Sequence, residues 1–144
     1  MGPLLKKFFD LDVLSILKIM KNTCIKNIRS MIVNFLSNHK LQVKKIKEIE
    51  LGTDEAVTNI IKHSYKEENK QNIIQIKLEL IENKIFIHLF DNGDPINSKK
   101  IKPRKLDDIK PGGLGTYFIN KIMDEVNWQT SDNWTNHLTL VKKI

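Results

Sequence analysis

Between Asn22 and Asn38 the apolar residues Ile25, Ile28, Met31, Ile32, Phe35 and Leu36 recur three and four positions apart, the spacing of one helical stripe. Asn22 or Thr23 can cap this helix. A second helix is predicted from about Val43 to Tyr65, with Ile46, Ile49, Ala56, Val57, Ile60 and Ile61 turned inward and positions 51, 55, 59 and 62 on a different face. The period then changes to two. Ile74, Ile76, Leu78 and Leu80 alternate with Gln75, Lys77 and Glu79; after a turn at Glu82 to Lys84, Ile85, Ile87 and Leu89 alternate again. This is a hairpin with one buried face. A polar loop rich in Lys and Pro follows Asp91-Asn92-Gly93 as far as Pro111, and a short helix after Gly113 carries Phe118, Ile119, Ile122 and Met123. Two last strands fit Val126 to Thr130 and Leu138 to Lys142 around a turn at Ser131 to Asn136. The segment Leu11 to Met20 fits either a first strand or a further helix. The predicted class is α+β, a two-layer sandwich with a mostly antiparallel sheet and helices on one face.

Composition narrows the function classes. A chain of 144 residues, 40% hydrophobic and 28% charged, suits a single domain with a real core. The formal charge of +7 comes mostly from dispersed lysines, since Arg29 and Arg104 are the only arginines, and this argues against a direct nucleic-acid reader. Cys24 stands alone, which excludes an intrachain disulfide and leaves the cytoplasm as the default compartment. Lys6, Lys7, Asp10, Asp12 and Lys18 interrupt the apolar stretch from Leu4 to Met20, so a membrane span is not expected there. His39, His88 and His137 are scattered without metal-ligand spacing.

Three segments carry candidate chemistry. Glu55 and Asn59 stand four apart on the second helix with Lys62 one turn on, a carboxylate, an amide oxygen and an ammonium on one face; the same spacing is also that of an ordinary solvated helix face. Asp91-Asn92-Gly93 closes a buried strand, where a carboxylate can accept from an exocyclic amine and Gly93 lets backbone approach a flat base; these are equally the residues of a simple turn. Gly112-Gly113-Leu114-Gly115-Thr116 exposes backbone amides at the start of a helix, which suits phosphate, although it is neither a P-loop nor a dinucleotide fingerprint and also fits a flexible connection.

The order of these pieces resembles the N, G1 and G2 boxes of the GHKL ATPase superfamily, whose nucleotide site is the Bergerat fold. Within the boxes, residues 54 to 65 (DEAVTNIIKHSY), Asp91-Asn92-Gly93-Asp94-Pro95, Gly112-Gly113-Leu114-Gly115, Met123-Asp124-Glu125-Val126 and the closing Asn136 to Lys142 look like the anti-sigma-factor serine kinases. The likeness runs from about residue 22 to the end, and residues 1 to 12 form an N-terminal extension of open role. Pro95, where the wider superfamily has a second glycine, departs from the chaperone, topoisomerase and histidine-kinase branches more than from the serine kinases.

The resemblance implies ATP and Mg²⁺ as cofactors. Asn59 would bind the Mg²⁺, Asp91 would receive the adenine amine with Gly93 beneath the base, and Thr139 would support that contact directly or through water. Gly113, Leu114, Gly115 and Thr116 would hold the phosphates with Lys62 nearby, and Glu55 would be the general base. The implied activity is a serine/threonine protein kinase acting on a small antagonist protein to switch partners, with a sigma factor or another regulatory protein, and a second copy of the chain, as further partners. Two alternatives share the pocket: a non-catalytic nucleotide-dependent binding module, and a stand-alone ATP-binding domain of a histidine kinase system.

Overall fold

A computed structural model describes residues 13–18, 21–64, 73–95, 119–129, 131 and 133–144. The elements, in chain order, are β1 (Val13–Lys18), α1 (Lys21–Ser37), α2 (Val43–Ser64), β2 (Ile73–Ile81), β3 (Lys84–Asp91), β4 (Glu125–Gln129) and β5 (Asn136–Lys143). Residues 119–122 are also helical. The strands form one sheet in the order β1-β2-β3-β5-β4, every neighbouring pair antiparallel. The α+β class and the single helical layer of the sequence reading are met. The segment left between strand and helix is β1, paired with β2 from Val13↔Leu78 to Lys18↔Ile73. Among the described residues no helix is long and apolar enough to cross a membrane.

The core lies between the helices and one face of the sheet. From α1 come Ile28, Ile32, Phe35 and Leu36, and from α2 Ile46, Ile49, Ala56, Val57 and Ile60, the stripes the periodicity marks. Opposite them stand Ile74, Ile76 and Leu78 of β2, Ile85, Ile87 and Leu89 of β3, and Leu138 and Leu140 of β5. The β2–β3 turn has positive φ at both central residues, 48° at Glu82 and 64° at Asn83, the backbone of a two-residue turn that matches strand twist. That turn sets the hairpin register at Ile81↔Lys84, and two-residue alternation then carries the buried row of β3 on to Asp91. A carboxylate therefore occupies the last place of an apolar row.

Helical residues 119–122 are pinned against α2 from two sides. The Lys142 Nζ donates to the Ile122 carbonyl and lies 3.7 Å from Glu48 Oε2. On α2 itself Gly52 is buried, and a Cβ there would sit 2.6 Å from Met123 Cε and 3.5 Å from Ile122 Cγ2. Glycine in a helix interior gives up roughly 0.5–1 kcal/mol against alanine, so this one exchanges helix propensity for close approach. Gly52→Leu is expected to overpack the contact and lower stability by about 1–3 kcal/mol in urea unfolding, whereas Gly52→Ala, which only has to displace a flexible methionine methyl, costs far less.

Candidate functional site

Asp91 is fully buried at the end of β3. Its Oδ1 accepts two hydrogen bonds, from the Gly93 amide at 3.0 Å and from Asn136 Nδ2 at 2.9 Å. Its Oδ2 is buried and has no hydrogen-bond partner among the described residues. Buried polar atoms are nearly always paired, because an unpaired one forfeits its hydration for nothing, so an orphaned carboxylate oxygen marks a place built to accept from a donor. Around it the turn is well tied. Asn92 Oδ1 accepts from the Ile73 amide at 3.1 Å, and Asn136 Nδ2 also donates to the Asp94 carbonyl at 2.9 Å.

Burial pushes the Asp91 carboxyl above the ordinary carboxylate range, and the bonds from Asn136 and Gly93 offset this only in part. The folded chain then holds this proton to higher pH than the unfolded chain does. Raising the pH from the ordinary carboxylate pKa through the raised value therefore removes stability, because the unfolded state ionises first. The expected result is a fall in stability with rising pH over that window in the wild type, and its loss in Asp91→Asn, read by urea unfolding across pH.

Glu55 and Asn59 lie on α2, both half-buried, and Lys62 one turn on is exposed. They flank the buried positions Ala56, Val57 and Ile60 and so stand on the rim of the helix-sheet interface; α2 packs against β3, the strand that ends in Asp91. Next to Glu55, Asp54 accepts from Arg29 Nε of α1 at 2.5 Å. Burial raises the Asp54 carboxyl while the Arg29 hydrogen bond and charge pull it down, and Glu50 and Glu55 add to the rise. Arg29 thus offsets a concentration of carboxylates beside Glu55, a pairing across 25 residues that periodicity does not reveal.

Thr139 corrects the sequence reading. The β3–β5 register pairs Asp91 with Asn136 and His88 with Thr139, so Thr139 points to the sheet face away from Asp91. There its Oγ1 lies 3.2 Å from His88 Nδ1 and 3.1 Å from His137 Nε2. Those two histidines are 3.0 Å apart, His88 Nε2 is 2.9 Å from Glu79 Oε1, and His137 stacks on Phe90 with centroids 4.1 Å apart. Burial first, and the His88 charge second, lower the His137 pKa. Among the described residues no group of three His, Cys, Asp or Glu gathers as a metal site. The neighbour that supports Asp91 is Asn136, three positions before the residue expected.

Gly113, Leu114, Gly115 and Thr116 lie outside the described residues. The structure thus brings together Asp91, Gly93 and Asn136, sets Glu55 and Asn59 on the adjoining helix, and removes Thr139 to the far face.

Residues 21–142 match the family described as the histidine kinase-like ATPase domain. Curated relatives include the serine-protein kinase RsbW of Staphylococcus aureus strains bovine RF122 / ET3-1 and MRSA252, each 38% identical over 89 residues that cover 56% of this chain and 56% of the relative. The chain spans about half the length of the curated relatives it matches. Among solved structures, the histidine kinase domain from Erythrobacter litoralis EL346 blue-light activated histidine kinase superposes with a TM-score of 0.53 at 14% identity, over 83% of this chain and 58% of that one, a likeness of fold.

Proposed function

Because the chain belongs to the family of histidine kinase-like ATPase domains, we propose that it binds ATP beside Asp91 and transfers the γ-phosphoryl group to a serine or threonine of a small antagonist protein. In this reading the transfer switches the partner of a sigma factor or of another regulatory protein, in the cytoplasm. The observation that carries the nucleotide site is Asp91 Oδ2, a buried acceptor at the end of a strand that has no partner among the described residues. The exocyclic amine of adenine is a planar donor of the kind that oxygen lacks, and Gly93 leaves room for the base. Relatives named serine-protein kinases support the choice of activity.

The remaining roles follow from the chemistry of each side chain. Asn59 would hold Mg²⁺ through its amide oxygen, a hard donor of the kind that ion prefers. When bound, that ion neutralises phosphate charge during transfer. Lys62 and the Gly113 to Thr116 segment supply cationic and backbone-amide contacts to the phosphates. Glu55 receives the proton of the substrate hydroxyl as its oxygen bonds to the γ-phosphorus, while the bond to the bridging oxygen breaks and ADP leaves. Phosphoryl transfer is mostly positioning and charge neutralisation, so these contacts matter at least as much as the base.

Incubation of the chain with γ-labelled ATP, Mg²⁺ and its cognate antagonist tests the reading. Label on a serine or threonine of the antagonist is the expected result, and none on a verified cognate contradicts it.

A further inference from the structure

The sheet face turned away from the helices carries a second cluster. The β3–β5 register sets His88 opposite Thr139 and Phe90 opposite His137, so the two histidines stand diagonally across neighbouring strands although 49 residues separate them in sequence. Their facing nitrogens, His88 Nδ1 and His137 Nε2, are 3.0 Å apart, and Thr139 Oγ1 lies 3.2 Å from the first and 3.1 Å from the second. The three atoms form a nearly equilateral triangle. A tetrahedral Zn²⁺ with bonds of about 2.0–2.1 Å to nitrogen holds its ligand atoms roughly 3.3 Å apart, so this triangle has to widen only slightly to seat one.

The hydrogens fall one short of the contacts. On the far side of its ring, His88 Nε2 lies 2.9 Å from Glu79 Oε1, and a carboxylate only accepts. The hydrogen of the neutral ring therefore sits on Nε2, and Nδ1 presents a lone pair to the triangle. Three contacts then share at most two hydrogens, one on His137 Nε2 and one on Thr139 Oγ1. Burial first, and the His88 charge second, lower the His137 pKa and favour its neutral ring, the form that ligates a metal. Glu79 is itself held by Lys77 Nζ at 3.3 Å. A carboxylate on the outer nitrogen of an imidazole is the arrangement that orients a ligating histidine and raises its basicity.

We propose that His88 and His137 form a binding site for a divalent transition metal of the Zn²⁺ type, with Thr139 as an oxygen donor, Glu79 orienting His88, and water completing the coordination. Imidazole nitrogens suit such an ion and not Mg²⁺, which takes oxygen. With no third histidine, cysteine or carboxylate ligand gathered here among the described residues, the site is an open one. It lies on the opposite face of the sheet from Asp91 and does not depend on the nucleotide reading.

The test is calorimetric titration of the tag-free chain with Zn²⁺ at neutral pH in the presence of Mg²⁺, alongside thermal unfolding. The wild type takes up a single Zn²⁺ saturably and unfolds at a higher temperature with it. His137→Gln and His88→Gln each lose saturable uptake, and Glu79→Gln, which keeps both ligand nitrogens, weakens it by about tenfold. Asp91→Asn binds Zn²⁺ as the wild type does. A wild type that takes up no Zn²⁺ overturns the proposal, as does unaltered affinity in the histidine variants; if one of these does not fold, the other decides. Loss of Zn²⁺ in Asp91→Asn places the ion at the other face and overturns it as well.

Discussion

Asp91→Asn is expected to fold and to lose ATP affinity by about 10²–10³-fold, the combined effect of one lost hydrogen bond to a charged acceptor and of donors left facing each other. The substitution is nearly isosteric, so the loss comes from polarity rather than packing. Asn136 and the Gly93 amide both donate to Oδ1, and this forces the introduced amide to keep its oxygen there. Its nitrogen then takes the place of Oδ2 and presents hydrogens to the amine of the base. Relative affinity for inosine triphosphate should rise in the same variant, because a donor now faces the 6-oxo group. Removal of a charge that burial disfavours should leave the apo variant no less stable than the wild type near neutral pH, which thermal unfolding checks.

Glu55→Gln is expected to lower phosphotransfer by about 10²–10⁴-fold while ATP affinity changes little. Glutamine keeps the size and the rim position of Glu55 on α2 but cannot take a proton from a substrate hydroxyl. Single-turnover transfer of label to the antagonist, compared with calorimetric ATP binding, separates the two effects. Equal loss of binding and transfer would mean that Glu55 holds nucleotide and is not the base. Retention of transfer would remove it from the chemistry altogether. Arg29→Met offers a useful contrast, since it releases the Asp54 carboxylate beside Glu55 without touching Glu55 itself.

Much of the fold could be read from period alone. The stripes Ile28, Ile32, Phe35, Leu36 and Ile46, Ile49, Ala56, Val57, Ile60 are the buried faces of α1 and α2, and the alternation in β2 and β3 is the buried row of the hairpin. The Asp91 position was readable for the same reason: it continues the parity of Ile85, Ile87 and Leu89. What lay beyond reach depends on pairing between distant segments. Val13 to Lys18 is a strand because β2 offers it an edge, a tertiary fact that local propensity does not carry. Asn136 and Thr139 both look plausible beside Asp91 until the register is known, and a shift by an odd number of residues exchanges the two faces. Arg29 with Asp54, and His88 with His137, meet across 25 and 49 residues for the same reason.

The central claim, a nucleotide site built around Asp91, is tested most directly by calorimetric titration of the wild-type chain with ATP in the presence of Mg²⁺. Saturable binding with one ATP per chain, weakened as the pH falls toward the raised pKa of the Asp91 carboxyl, is the result this account requires. No heat and no saturation with either ATP or ADP would contradict it.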